Sequence, residues 1–250
     1  MNQNFNLYSQ YYDLLYKDKD YLEETEYLVG LINKYSSQSK NVIELGSGTG
    51  KHANLLAGKG YQVLGIERSA EMVEIANQIK KDGVDFQVAD ITNFKTDLSF
   101  DVALSLFHVI SYLVDIEQLI KTFENVNRCL NKEALFIFDV WHSTAVNFLL
   151  PEKRTKIFQD KNLKVTRNAT PIIYPELNIV EVNYDIFVKN LRDGSTNFFQ
   201  EQHPMRHFNR QEIELLAYAT GFEIIHNEEF LSGSLPSKHT WGVCYILRKL

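Results

Sequence analysis

An α/β fold built on a mostly parallel sheet is what this 250-residue sequence predicts, and three observations carry the expectation. Short apolar runs alternate with helix-forming segments from Asn41 to Val140, the repeat that builds parallel strands through right-handed crossovers. The first of these runs stops in three glycines spaced by two, Gly46, Gly48 and Gly50. The alternation then breaks between Trp141 and Phe208, where strand-like runs follow one another without a long helical period, and it resumes at Arg210. Residues 1–140 and 209–250 therefore read as one core with a lid segment over 1–40, and 141–208 as an antiparallel β insertion after strand five.

The first forty residues hold Tyr8, Tyr11, Tyr12, Tyr16, Tyr21, Tyr27 and Tyr35, and Glu23 to Ile32 has the period of an amphipathic helix. Strand one is N-V-I-E-L (Asn41 to Leu45), followed by the glycine turn and a helix from Lys51. Tyr61 to Glu67 is a second buried strand that ends in an acid, with a helix from Ala70 to Lys80 behind it. Val84 to Ala89 forms strand three and stops at Asp90-Ile91; Phe100 to Phe107 forms strand four and runs into His108. A helix over Ile116 to Leu130 leads to strand five, Ala134 to Val140, and then Trp141-His142. In the insertion the strands are expected at Thr155 to Gln159, Lys164 to Asn168, Asn178 to Val188 and Thr196 to Gln202, with a turn at Leu191-Arg-Asp-Gly-Ser. The core closes with a helix from Arg210 to Thr220, a strand from Phe222 to Glu228 and a last buried strand from Trp241 to Arg248.

In such a sheet ligands bind beyond the carboxyl ends of the strands, and the acids and His108 all fall on that edge. Glycines there permit positive φ and let a ligand approach the backbone. The pattern is E-x-G-x-G-x-G (Glu44 to Gly50) rather than the G-x-G-x-x-G of a dinucleotide site. An acid at the strand end opposes a pyrophosphate and suits an ammonium group. That combination points to S-adenosylmethionine (SAM), whose amino acid end is zwitterionic and whose sulfur is cationic. Glu67 lies 21 residues past Gly46, where an acid accepts both hydroxyls of a ribose. Met72 is placed against an adenine, Asp90 accepts from its amino group and Ile91 packs on the ring. Ser47, Thr49, Arg68 and Leu106 complete the cofactor set, and Tyr16 is the aromatic lid residue whose face attracts the cation.

The glycine motif, the ribose acid, Asp90 and the strand order together resemble the class I SAM-dependent methyltransferases over residues 41 to 140 and again over 210 to 250. The resemblance implies a Rossmann-like, seven-stranded class I methyltransferase sheet whose last strand is antiparallel, with S-adenosyl-L-homocysteine as the product left behind. The opening Y-Y-D-L-L-Y-K-D-K-D-Y (Tyr11 to Tyr21) and the insertion after strand five are similar to the nucleotide-linked (dTDP) amino-sugar N-methyltransferases. That group commonly has E-P-W after strand five, where this chain has Phe138-Asp139-Val140-Trp141-His142, and small polar residues where this chain has His108. What it implies is an insertion that contributes to the acceptor site, with the amino group of a nucleotide-activated sugar as the methyl acceptor.

Methyl transfer from a sulfonium is an in-line displacement, so alignment supplies much of the rate. A base matters more for a hydroxyl acceptor than for an amine, and histidine titrates near neutrality. His108, with Tyr16, is read as catalytic; His108, Trp141 and His142 are read as facing the acceptor. Arg154, Arg167 and Arg206 are candidate phosphate clamps, since guanidinium pairs with phosphate bidentately. O-methylation of a sugar or phosphorylated metabolite, for surface polysaccharide or secondary metabolism, is the alternative. A non-catalytic SAM-binding protein and a dinucleotide oxidoreductase are the more distant readings. The formal charge of −6 gives no footprint for nucleic acid, and no apolar run approaches the ~20 residues of a membrane span. The opening M-N-Q-N-F-N-L-Y lacks a signal-peptide pattern, so the expectation is a cytoplasmic monomer or homodimer. Cys129 and Cys244 read as reduced packing residues, and no histidine spacing suggests a catalytic metal.

Overall fold

The computed structural model describes residues 14–15 and 19–250, and they divide into two compact units. The larger unit is Asp20–Leu149 with His207–Leu250; the smaller takes Leu150–Arg206 together with Leu14, Leu15 and Lys19.

The larger unit carries helix α1 (Tyr21–Ser36), β1 (Asn41–Leu45), α2 (Lys51–Ala57), β2 (Gln62–Glu67), α3 (Ala70–Ile79), β3 (Val84–Val88) and β4 (Phe100–Ser105). It continues with α4 (Ile116–Cys129), β5 (Leu130–His142) and the short α5 (Ser143–Phe148). Strands β3, β2, β1, β4 and β5 lie side by side in that order and are parallel. The order reverses between β1 and β4, which opens the crevice where ligands of such sheets bind. After α6 (Arg210–Ala219), β10 (Phe222–Glu229) and β11 (Gly242–Lys249) complete seven strands; β11 runs antiparallel to β5 and pairs with β10 at the edge. This is the sheet, with its antiparallel last strand, that the resemblance implied.

Period-two alternation puts the strands' side chains on two faces, and both are buried. Ile43, Leu45, Phe136 and Phe138 meet Phe123 and Val126 of α4 and Ile213 of α6 on one face. On the other, Val42, Leu135 and Ile137 meet Leu28 and Ile32 of α1 and Leu56 of α2. Glu44 and Asp139 belong by alternation to this second face, two acids in a layer of aliphatic side chains. Helices α1, α3, α4 and α6 start where the sequence supplies a side-chain cap: the Asp20 carboxylate accepts from the Glu23 N–H at 2.8 Å, and Asn209 and Glu212 form a reciprocal capping box at α6. Strand five begins at Leu130, earlier than the sequence period suggested, and takes the last residue expected of the preceding helix.

The smaller unit is an antiparallel meander of β6 (Arg154–Gln159), β7 (Leu163–Tyr174), β8 (Ile179–Asn190) and β9 (Thr196–Phe208) as far as Arg206; the last two residues of β9, His207 and Phe208, belong to the larger unit and pair there with Trp141 and His142 of β5. Its strands are longer than the sequence runs that announced them, because β7 and β8 pair without interruption from Leu163–Asn190 to Tyr174–Ile179. The expected turn lies between β8 and β9, with Gly194 at φ +76°. Leu14 and Leu15 pack on Val165, Ile186, Val188 and Phe199 as its core.

Candidate active site

At the carboxyl end of β1 the chain folds back over β2: the N–H groups of Gly46 and Ser47 both donate to the Ile66 carbonyl, at 2.8 and 3.1 Å. All three motif glycines have positive φ, +72°, +54° and +75°. Any other residue is strained in that conformation. Space decides differently at each: a Cβ on Gly46 runs into the Val109 side chain and one on Gly50 into the Phe86 ring, whereas at Gly48 nothing comes closer than the Met72 sulfur at 4.0 Å. Gly46 and Gly50 are thus glycines for packing, and Gly48 is the one with open space. Ser47 and Thr49 are buried, and the Ser47 hydroxyl has no hydrogen-bond partner.

Glu67, the last residue of β2, accepts from two loops. One carboxylate oxygen takes the Gly48 N–H at 3.1 Å and the other takes the Ser69 N–H at 2.9 Å. Each oxygen keeps a second lone pair, so an anchored carboxylate is presented for a pair of hydroxyls. Ser69 in turn caps α3 by accepting from the Met72 N–H at 3.2 Å, which places the buried Met72 beside the glycine turn. Arg68 is exposed. Beyond β3, Asp90 is exposed; its Oδ1 accepts from the Thr92 N–H at 2.8 Å and from the Thr92 hydroxyl at 2.6 Å, while Ile91 is half buried against the core. Leu106 is buried after β4. This donor and acceptor set fits SAM: an anchored carboxylate at the end of β2, an open glycine, and unpartnered buried oxygens at Glu44 and Ser47.

Glu44 is only 2% exposed and turns toward α2, where its Oε1 lies 3.5 Å from Nδ1 of the buried His52. The other ring nitrogen of His52 is 2.7 Å from a carboxylate oxygen of Glu24 on α1. Burial works against a charged imidazole here, but the two carboxylates outweigh it and hold the His52 pKa above its usual value.

The chain after β4 makes an unusual turn. Phe107 and His108 are consecutive side-chain-bearing residues at φ +62° and +61°, the left-handed region that costs such residues ~1 kcal/mol or more each. What holds them is Asp139, a buried carboxylate in the middle of β5: both its oxygens lie 3.2 Å from the His108 N–H. Its Oδ2 is also 2.6 Å from His108 Nδ1, a contact that is short but not aligned with the ring N–H. Nε2, the other ring nitrogen, is not engaged by Asp139. The ring stacks beside Phe107 and meets Trp141 edge-on at 6.2 Å. Trp141 also packs edge-on against Trp241, and His142 lies 3.3 Å from the Thr240 carbonyl, with burial lowering its pKa. Sequence reading had placed His108, Trp141 and His142 on this edge and missed Asp139. A lone acid inside the apolar run F-I-F-D-V was the available signal, since a buried carboxylate demands a partner.

In the smaller unit, Arg154 is exposed on β6, and Arg167 on β7 lies over the rings of Tyr184 and Phe158, at 4.8 and 5.5 Å. Arg206 is half buried near the end of β9. Glu201 and His203 pair at 2.9 Å, and His203 meets the Tyr184 ring edge-on. Tyr16 lies outside the described residues. Among the described residues, no group of three or more His, Cys, Asp or Glu side chains is placed to hold a metal ion, and no helix is long and apolar enough to cross a membrane. Both cysteines are buried and unbridged.

Comparison with known proteins bears on the whole of this arrangement. A family model described as a methyltransferase domain matches residues 18–227. The chain is similar to a dTDP-3-amino-3,6-dideoxy-alpha-D-glucopyranose N,N-dimethyltransferase of Streptomyces fradiae, 26% identical with 90% of this chain and 86% of that protein covered. It is also similar to the crystal structure of a SAM-dependent methyltransferase from Clostridium acetobutylicum ATCC 824, with a TM-score of 0.78, 21% identity and 99% of both chains covered. The SAM-bound amino pentose methyltransferase of Micromonospora echinaspora, involved in calicheamicin biosynthesis, matches with a TM-score of 0.78 and 17% identity over 100% of this chain and 99% of that one.

Proposed function

This chain belongs to the methyltransferase-domain family and is a SAM-dependent methyltransferase, and on that premise we propose that it methylates the amino group of a nucleotide-activated sugar, with His108 as the base. The observation that carries the base assignment is the His108–Asp139 contact of 2.6 Å. A carboxylate on one ring nitrogen favours the tautomer with its proton there, which leaves Nε2 able to accept a proton from the acceptor. The relationship to the S. fradiae dimethyltransferase supports an amine as that acceptor.

When bound, SAM supplies an electrophilic methyl group on a sulfonium. The chain's own residues would take these roles. Glu67 would accept from the ribose hydroxyls, and Gly48 and the turn around it would admit the amino acid end. Met72 and Ile91 would hold the adenine, and the remaining carboxylate oxygen of Asp90 would accept from its amino group. His108 removes a proton from the ammonium form of the acceptor, and Trp141 and His142 shape the acceptor side. Arg154, Arg167 and Arg206 serve as phosphate-pairing side chains of the insertion.

The test is release of S-adenosylhomocysteine against a panel of nucleotide-linked amino sugars and their hydroxyl analogues, with product masses read. Turnover of amino sugars alone supports the reading; turnover of hydroxyl analogues alone replaces it with O-methylation. The dyad favours that second reading as well, because a hydroxyl needs a base more than an amine does.

A further inference from the structure

We propose that His52 is a positioning residue for the cationic amino acid end of SAM, acting through Glu44 rather than touching the ligand. This rests on the reading that the glycine turn and Glu44 receive that end of the cofactor.

The geometry is a three-residue line across the larger unit. Glu24 of α1 and Glu44 of β1 lie on either side of the His52 ring on α2, at 2.7 and 3.5 Å, and all three side chains are nearly closed to solvent. Tyr21 of α1 meets the ring edge-on at 5.0 Å, and the Lys51 ammonium sits over Tyr21. An interhelix tie needs one carboxylate for one imidazole, and here two carboxylates share the one ring. The atom left over is identified by its surroundings: Glu44 Oε2 is buried and has no hydrogen-bond partner. A buried carboxylate oxygen without a donor is costly. Glu44 stands two residues before Gly46, so this oxygen belongs to the residue at the foot of the turn that a ligand's ammonium group would approach. A donor bearing a positive charge would satisfy the oxygen.

His52 has two effects in this arrangement. It fixes Oε1 so that Oε2 is the oxygen left for the ligand. It also separates two carboxylates that, without it, would share a desolvated site, where one takes up a proton and the charge offered to the ligand disappears.

The experiment compares calorimetric affinities for SAM and for 5′-methylthioadenosine, which keeps the adenosine and the sulfur but lacks the amino acid. Wild type should prefer SAM, and Glu44→Gln should remove most of that preference; if Glu44→Gln leaves it intact, the underlying reading of Glu44 fails. His52→Gln should cut the preference about tenfold at pH 6.5 with methylthioadenosine affinity held within twofold. The double variant Glu24→Gln/His52→Gln removes one charge of each sign and should restore most of it. A scaffold role for His52 predicts the opposite pattern, with both ligands weakened together and the double variant worse than the single. That result, or an unchanged preference in His52→Gln, overturns the proposal.

Discussion

Two histidines face carboxylates on the same layer of this sheet, and they differ in what is left over. The His52 side chain is 7% exposed and shared between two acids; the His108 side chain is 26% exposed and held by one. At His52 both ring nitrogens are engaged, so the imidazole has no nitrogen for a substrate and the surplus is a carboxylate oxygen. At His108 the acid takes one nitrogen and the surplus is the other. On the proposed reading, the same pairing chemistry yields a fixed charge in one place and a proton acceptor in the other, and the count of partners decides which.

The strongest test of that contrast is His108→Ala. It should lower kcat by about 10²- to 10⁴-fold, the usual range for a positioned acid–base group, with SAM affinity measured calorimetrically unchanged. An unchanged kcat would make the two histidines alike, both packing groups. His52→Ala should instead show in stability, by roughly 3 kcal/mol in denaturant unfolding, because it leaves two buried acids without their cation. The sign with pH follows from the raised pKa of His52. A group bound more tightly to its proton when folded stabilises most below the ordinary imidazole value of about 6.5, and loses that contribution as pH rises through the raised value. The gap between wild type and His52→Ala should accordingly narrow from pH 6 upward; a gap that widens would contradict a charged His52.

Asp139→Asn keeps an oxygen for the His108 N–H but alters the partner of Nδ1. About a tenfold fall in kcat is expected, with a shifted pH–rate profile, because the amide no longer favours the required tautomer. The mildest probe is Gly242→Ala. A Cβ there would stand 3.3 Å from His108 Cε1, so the ring must shift by a few tenths of an ångström. A roughly threefold loss of kcat without loss of SAM affinity would sharpen the view that the position of the ring, not its presence, sets the rate.

The parts of this molecule that sequence made legible are those set by local pattern. Short apolar runs with an acid or a histidine at or next to their ends announced β1 to β4 and the edge where Glu67 and His108 stand. Antiparallel runs announced the insertion, though not its full strand lengths, which depend on pairing between β7 and β8 rather than on either strand alone. Partnerships across the chain were not legible. Glu24 and His52 are 28 residues apart on different helices, and Asp139 is 31 residues from His108. The short α5 also escaped notice, since Ser143–Phe148 is too brief to show a period.

The double anchoring of Glu67 bears on how long a ligand is held. Hydrogen bonds to Gly48 and Ser69 tie the glycine turn to the start of α3 through one carboxylate. Each bond fixes a loop that would otherwise have to be ordered around a ligand, and cutting that ordering is how preorganisation gains affinity. Substitutions around the cradle should register chiefly as changes in residence time.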